Sequence, residues 1–463
     1  MSSLLDKSQT SNLKSQTSTI CALATAPGGA LGIIRISGPQ TLEILSRIFS
    51  KDLTNAQPNT IHYGHIVEKT SNPQPQTSNL QPQTSNLKPP TSNLIDEAMV
   101  SIFRAPHSYT GEDSVEISCH GSSYILNKVL SLLVEKGCRM ANPGEYTMRA
   151  YLNGKMDLSQ AEAVADLIAS TNRATHHMAM SQLRGGISSE LATMREQLLK
   201  LTSLLELELD FSDHEDLEFA DRSELESLTK NIDNHITRLA DTFQTGNALK
   251  NGIPVAIIGA PNVGKSTLLN ALLGEERAIV SDIQGTTRDA IEDTMQLGGI
   301  SFRFIDTAGI RHTDDQIESL GIERSKAAAQ RARIILLMTE PGVPYPHIET
   351  RDGQTVIRIE NKTSTFQAKY GVGLEILKQQ LIDAAPKTSD SDVIITNARH
   401  YDALLRAHEA LQRVLAGLDM QMSGDLLSED LRQALDILAE ITGGQITPNE
   451  VLGNIFKNFC VGK

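Results

Sequence analysis

Tryptophan is absent from the 463 residues, and aromatic side chains make up only 4%. That composition excludes broad platforms on which unpaired bases stack. Basic residues are the minority, 42 Lys and Arg against 56 Asp and Glu, for a formal net charge of −14. Nonspecific coating of phosphates needs the opposite balance, so a nucleic-acid coat is excluded, although a local basic groove on an acidic protein is not. The acidity is concentrated around Glu206–Glu226. No apolar run reaches the roughly 18 residues of a membrane span, so no membrane association is expected. The first residues also lack the apolar core of a signal peptide. Cysteine is scarce, and Cys21, Cys119, Cys138 and Cys460 form no CxxC pair. This argues against a disulfide framework or a structural zinc site, and the expected location is the reducing cytoplasm.

An apolar fraction of 40% is enough to build cores, and the length suggests about three domains. Thr-Ser-Asn recurs at Thr70, Thr77, Thr84 and Thr91, with a related copy at Thr10. The heptad period does not build a coiled coil, because Pro73, Pro75, Pro82, Pro89 and Pro90 interrupt it and each unit offers a single apolar residue. Residues 69–94 therefore read as a disordered insertion and residues 1–18 as a disordered leader.

Residues 19–150, split by that insertion, carry a mixed α/β pattern. Ile33, Ile34 and Ile36 read as one strand, Ser114–Ser118 as another, and Ile125–Val134 has helical spacing. From Leu158 to about Phe243 the pattern is helical and free of proline, with Leu198, Leu201, Leu205 and Leu209 on one face. Gly252–Ile258 is an abrupt strand. Further strands at Ile300–Ile305 and Ile334–Met338, with helical stretches between, predict a doubly wound α/β domain that ends near Pro386. Residues from about 392 to 463 are helical again. The expected fold class is a multidomain chain, α/β plus all-α. An α+β domain occupies 19–150, and a helical bundle (151–247 and 388–463) carries an inserted α/β domain (248–387).

Gly259-Ala-Pro-Asn262-Val263-Gly264-Lys265-Ser266-Thr267 matches GxxxxGK[ST] between a strand and a helix, the context of a P-loop. Its glycines let backbone N–H groups wrap phosphates, Lys265 offers a point charge to the β/γ-phosphates, and the Ser266 hydroxyl can ligand Mg²⁺. Two further elements follow at GTPase spacing. Ser281-Asp282-Ile283-Gln284-Gly285-Thr286-Thr287 supplies a threonine, Thr287, that can complete the Mg²⁺ shell. Asp306-Thr307-Ala308-Gly309 places a carboxylate toward Mg²⁺ and an N–H toward the γ-phosphate. Ile310 stands where many GTPases carry a glutamine that orients water. Charge stabilisation must then come from elsewhere: Asn262 is a candidate ligand for a monovalent cation, and Glu318 is one of several acids able to position water.

Base recognition departs from the usual pattern. Guanine selectivity generally uses NKxD, whose Asp accepts from N1–H and the 2-amino group, whereas this chain reads Asn361-Lys362-Thr363-Ser364. Serine cannot accept both bonds as a charged group, so guanine preference is expected to be reduced. The stretch from Met338 to Asn361 is short and holds Pro341, Pro344 and Pro346, so the usual crossover helix is expected to be missing. Gln367-Ala368-Lys369 fits a degenerate form of the SAK loop that backs the base.

The remaining segments have no general physical signature but resemble a family, MnmE/TrmE, the tRNA-modifying GTPases. They are Thr19-Ile-Cys-Ala-Leu-Ala-Thr-Ala-Pro27, Gly32-Ile-Ile-Arg35-Ile-Ser-Gly38, Ser108-Tyr-Thr-Gly-Glu-Asp113, Glu116 with His120-Gly121, Pro143 through Glu162, Asn397-Ala-Arg-His400 and the terminal Phe459-Cys460-Val461-Gly462-Lys463. The resemblance implies a homodimeric, K⁺-stimulated GTPase. With an FAD-dependent partner of the MnmG family, it would install an aminomethyl-type group on C5 of the tRNA wobble uridine. It implies a folate-binding N-terminal domain that takes a one-carbon unit from 5-formyl- or methylene-tetrahydrofolate, with Arg35, Glu116, Lys155 and Lys463 as contacts. It implies K⁺ at Asn262, Ser281, Ile283 and Thr286, and catalytic roles for Glu318 and Cys460. A ribosome-assembly or RNA-binding GTPase is a second class, disfavoured by the lack of a GxxG-centred basic domain. A nucleotide-binding scaffold with weakened guanine selectivity is a third.

Overall fold

The computed structural model describes residues 18–68, 94–210, 222–275, 293–305, 326–389, 392–444 and, of the C-terminal tail, 452, 455–457, 459 and 462. It divides into two compact units. The first draws on the described residues of Met1–Ala165 and Ile446–Lys463, and the second is Asp166–Gln445.

The first unit is built on a six-stranded sheet of β1 (Ile20–Leu23), β2 (Leu31–Ser37), β3 (Thr60–Val67), β4 (Leu94–Phe103), β5 (Ser114–His120) and β6 (Arg139–Met140) in the order β3-β4-β5-β2-β1-β6. Alternation decides the faces. Ile34 and Ile36 on β2 and Val115, Ile117 and Cys119 on β5 enter one core, beneath α1 (Thr41–Ile48) and α2 (Ser123–Glu135). The antiparallel register sets Arg35 opposite Glu116, between the paired core residues Ile34–Ile117 and Ile36–Val115. Both charged side chains therefore leave the sheet on its other face. There Tyr146, from α3 (Glu145–Leu152), is fully buried with Ile20, Ala22 and Ala141. The start of α4 (Leu158–Ala169) joins Leu452 and Phe456 of the tail in a small separate core. The tail thus docks on the first unit rather than in the bundle of the second.

The second unit begins with helices α5 (Arg173–Leu183), α6 (Gly186–Asp210) and α7 (Arg222–Asn251). On α6, Leu191, Met194, Leu198, Leu201 and Leu205 recur at alternating three- and four-residue steps and are buried. This stripe packs with Leu225, Ile232 and Ile236 of α7 and with two later helices, α10 (Ala398–Asp419) and α11 (Gly424–Thr442). Between α7 and α10 lies an α/β layer. Its strands are β7 (Ile253–Gly259), β8 (Asp293–Leu297), β9 (Ile300–Phe304), β10 (Ile334–Thr339) and β11 (Thr355–Glu360), in the order β11-β10-β7-β9-β8. All neighbours are parallel except β8 and β9. Helices α8 (Lys265–Glu275) and α9 (Leu374–Ala384) cover one face, and a helical turn at 326–331 covers the other. The architecture is a helical bundle with an inserted doubly wound domain.

The connection from β10 to β11 contains no helix, as its prolines predict. Residues 340–354 run as turns and extended chain, fastened by Thr339 Oγ1 donating to the Val343 carbonyl (2.8 Å). Gln354 Nε2 donates to the Ala329 and Ala332 carbonyls (2.7 and 2.6 Å). Gln354 thereby satisfies carbonyls that the end of the 326–331 turn leaves open.

Candidate functional site

Strand β7 ends at Gly259, and α8 begins at Lys265, so the P-loop is the strand-to-helix turn between them. Gly264 takes φ +100°, and a Cβ there would lie 2.5 Å from Asn361 Nδ2. Conformation and space both demand glycine. Asn262 holds the left-handed region at φ 62°, which costs a non-glycine residue of order 1–3 kcal/mol. Val263 is buried in the core with Leu268 and Leu269 and pins the loop to the domain. The Lys265 ammonium donates to the carbonyls of Gly259 (2.8 Å) and Ala260 (2.9 Å). Burial pulls its pKa below the ordinary lysine value, so the site favours an arriving anion that restores the charged form. Ser266 is half-buried in the first turn of α8, whose N–H groups and dipole suit phosphate. Thr267 is exposed.

The loop after β11 is tied to this turn. Asn361 is buried; its Nδ2 donates to the Val263 carbonyl (2.8 Å), and its Oδ1 accepts from the Ala368 N–H (3.0 Å). One side chain thus joins the phosphate loop to the segment predicted to back the base. Lys362, at φ 64°, pairs with Glu340 and reaches the Asn262 carbonyl at 3.5 Å. Ser364 is exposed. Residues 281–287, 306–309 and Glu318 lie outside the described residues.

In the first unit, Arg35 Nε and Nη2 donate to Glu116 Oε1 (3.0 and 2.6 Å), and Nη1 donates to the Gly462 carbonyl (3.0 Å). The guanidinium lies 5.8 Å from the Tyr109 ring centre and 5.7 Å from that of Tyr146, within the range of cation–π attraction. Tyr146 OH also donates to the Arg35 carbonyl (2.8 Å). Gly462 takes φ +96°, and a Cβ there would fall 2.4 Å from the Leu23 carbonyl oxygen. Only glycine lets the tail come this close. Lys155 is exposed, and its Nζ donates to the Pro106 carbonyl (2.9 Å) at the base of the loop bearing Tyr109. Of the four predicted folate contacts, Arg35 and Glu116 are in direct contact and Lys155 lies by the neighbouring loop. Lys463 and Cys460 lie outside the described residues.

Sequence reasoning did not single out Tyr109, Tyr146 or Gly462, because their roles depend on pairing and docking rather than on a local pattern. It also missed the ion network behind them. Buried Arg149 bonds Glu112 (3.1 Å) and Glu145 (2.9 Å), Arg139 bonds Glu145 (2.6 Å), and Ser37 Oγ donates to Glu112 Oε2 (2.8 Å). Burial alone raises the Glu145 pKa. Hydrogen bonds from Arg139, the Asn142 N–H and Arg149 outweigh it and hold the carboxyl below its ordinary value. The Asn397–His400 segment is structural. Asn397 caps α10 by accepting from the Arg399 N–H (2.9 Å), while Arg399 donates to the Glu440 and Ile441 carbonyls (2.7 and 3.0 Å) near the end of α11.

Among the described residues no group of three or more His, Cys, Asp or Glu is placed to hold a metal, and no helix is long and apolar enough to cross a membrane. Cys21, Cys119 and Cys138 are free and buried. Burial pushes the Cys119 thiol up to about 11, so it is inert at neutral pH.

Comparison with known proteins covers nearly the whole chain. Residues 158–460 match the MnmE helical domain, and residues 19–155 match the GTP-binding protein TrmE N-terminus. The tRNA modification GTPase MnmE of Phocaeicola vulgatus is 53% identical to it, over 96% of this chain and 99% of that protein. The tRNA modification GTPases MnmE of Bacteroides fragilis and Flavobacterium johnsoniae are 50% and 46% identical, again over 96% of this chain and 99% of each relative.

Proposed function

The chain belongs to the MnmE family of tRNA modification GTPases, and on that premise we propose how its two candidate sites divide the work. GTP hydrolysis belongs to the second unit. The observation that carries this reading is the junction at Asn361, which fixes the phosphate loop and the base loop to each other. Lys265 meets the β/γ-phosphates, while Val263 and the glycines present backbone N–H groups. Ser266 with Thr287 would hold Mg²⁺, and Asn262, Ser281, Ile283 and Thr286 would hold K⁺. Hydroxyl, amide and carbonyl oxygens are the donors that hard cations take. Cations held by these residues would supply positive charge against the charge developing on the transferred phosphoryl group. Glu318 positions the attacking water, in place of the glutamine that Ile310 replaces.

The first unit would bind the reduced folate, which supplies the one-carbon unit. The donor set fits such a ligand: a partly buried arginine–carboxylate pair, its guanidinium beside two aromatic rings, meets a flat, hydrogen-bonding heterocycle, and cations meet its carboxylates. Arg35, Glu116, Lys155 and Lys463 make the contacts, with Cys460 carried on the same tail. The chain would act as a homodimer through residues 19–150. With an FAD-dependent MnmG-type partner, it would place an aminomethyl-type group on C5 of the tRNA wobble uridine in the cytoplasm.

Hydrolysis of GTP and of ATP, each in K⁺ and in Na⁺, tests the first assignment. The expected result is faster GTP turnover with stimulation by K⁺; equal rates across all four conditions sink it. Folate binding that survives both Arg35→Ala and deletion of Lys463 removes the second.

A further inference from the structure

Guanine presents two donors along one edge, N1–H and the 2-amino group. An ionised carboxylate is acceptor-only and takes both at once, whereas a serine hydroxyl has one rotatable proton and accepts at a single centre. From Asn361 to Gly373 the chain contains no Asp or Glu. The structure shows that no described acid nearby stands in. Asn361 is spent on Val263 and Ala368. Glu340 is paired with Lys362, and Glu375 with Lys378 at 2.7 Å. Glu360 is exposed between buried Ile359 and Asn361, so it leaves the strand on the opposite side from Asn361. The chain then closes a tight turn. Thr363 N–H donates to the Phe366 carbonyl (3.1 Å), Phe366 N–H donates to Thr363 Oγ1 (3.0 Å), and Thr363 Oγ1 meets Thr365 Oγ1 at 3.0 Å. Ser364 is the exposed corner of that turn, at the position the base-reading carboxylate takes in NKxD.

We infer that this nucleotide site does not read the purine 2-position, and that it takes ITP as readily as GTP. The inference rests on the GTPase reading and adds a specificity to it. A hydroxyl at 364 accepts from N1–H, which guanine and hypoxanthine share, and loses nothing when the 2-amino group is absent. The same hydroxyl can turn to donate to the 2-carbonyl of xanthine, which a carboxylate repels.

The test measures kcat/KM of the full chain with Mg²⁺ and K⁺ on GTP, ITP and XTP, beside displacement of a fluorescent GDP analogue by GDP, IDP and XDP. The natural chain should treat GTP and ITP within about threefold, and XTP within about tenfold of them, a spread no larger than a single neutral hydrogen bond gives. Ser364→Asp should raise the preference for GTP over ITP by about tenfold or more and turn the site against XTP. The position is exposed, so the thermal unfolding midpoint should stay the same and serves as the folding control. A natural chain that already prefers GTP over ITP tenfold, or a variant that leaves the ratios unchanged, overturns the inference while leaving the GTPase reading intact. Absence of any nucleotide binding or turnover overturns both together.

Discussion

The P-loop occupies consecutive residues from Gly259 to Thr267, whereas the arginine site gathers Arg35, Tyr109, Glu116, Tyr146 and Gly462 from strand, loop, helix and tail. The first is a local backbone conformation between a strand and a helix. The second exists only because β2 and β5 pair in one register and the tail docks beside them. Damage to the two sites should therefore look different. A lesion in the phosphate loop removes chemistry and spares the fold, while a lesion around Arg35 removes the site by loosening the unit that frames it.

The largest expected effect is at Lys265. Lys265→Ala should cut GTP turnover by about 10²–10³-fold, the scale of removing one preorganised charge stabiliser, with an unchanged thermal midpoint; a lower midpoint erases the contrast. Gly462→Ala should behave the other way. A left-handed residue forced to carry a Cβ against the Leu23 carbonyl should destabilise the first unit by about 1–3 kcal/mol. Calorimetry should show a lower unfolding transition while GTP turnover holds. Asn361→Ala probes a mixed case, since its partner Val263 lies 98 positions away. It leaves a buried N–H and a buried carbonyl unsatisfied, for about 1–3 kcal/mol, and should weaken both stability and nucleotide affinity. Loss of only one of the two would separate the loops that the structure joins.

The smallest effect is a pH dependence in the first unit. Glu145 has a folded pKa below its unfolded value of about 4.3. Its contribution is complete above the unfolded value and is lost as pH falls below it toward the lowered folded one. Glu145→Gln should lower the thermal midpoint at neutral pH and flatten its decline between about pH 4.3 and lower values. A variant with the unaltered acid slope would relocate that sensitivity to other carboxylates.

The same contrast explains what was legible in the sequence. Strands β2, β5, β7, β9 and β10 announce themselves by alternation or by short apolar runs, and β7 is shifted by one residue from the expected Gly252–Ile258, opening at Ile253 after Gly252 turns at φ 84° and ending at Gly259. The P-loop and the helix-free crossover follow from glycine and proline, whose backbone limits are local. Strand β3 was hidden because Ile61 and Tyr63 are exposed, at 68% and 54%, which inverts the usual reading of apolar residues. Strand β6 is two residues long, too short for any period. Arg35 and Glu116 carried no local sign of being partners; only the resemblance named them, and only the β2–β5 register explains them.

Arg35 and Gly462 are 427 positions apart, and the whole second unit lies between them in the chain. The first unit can pair most of its strands early in synthesis, yet its last contacts must wait until the intervening bundle and nucleotide domain have emerged. Such non-local closure is entropically slow. A nascent chain should therefore pass through a stage in which the second unit has folded while the first keeps Phe456 and its neighbours unprotected. Hydrogen exchange during refolding should find the sheet around β2 and β5 protected first and the tail last.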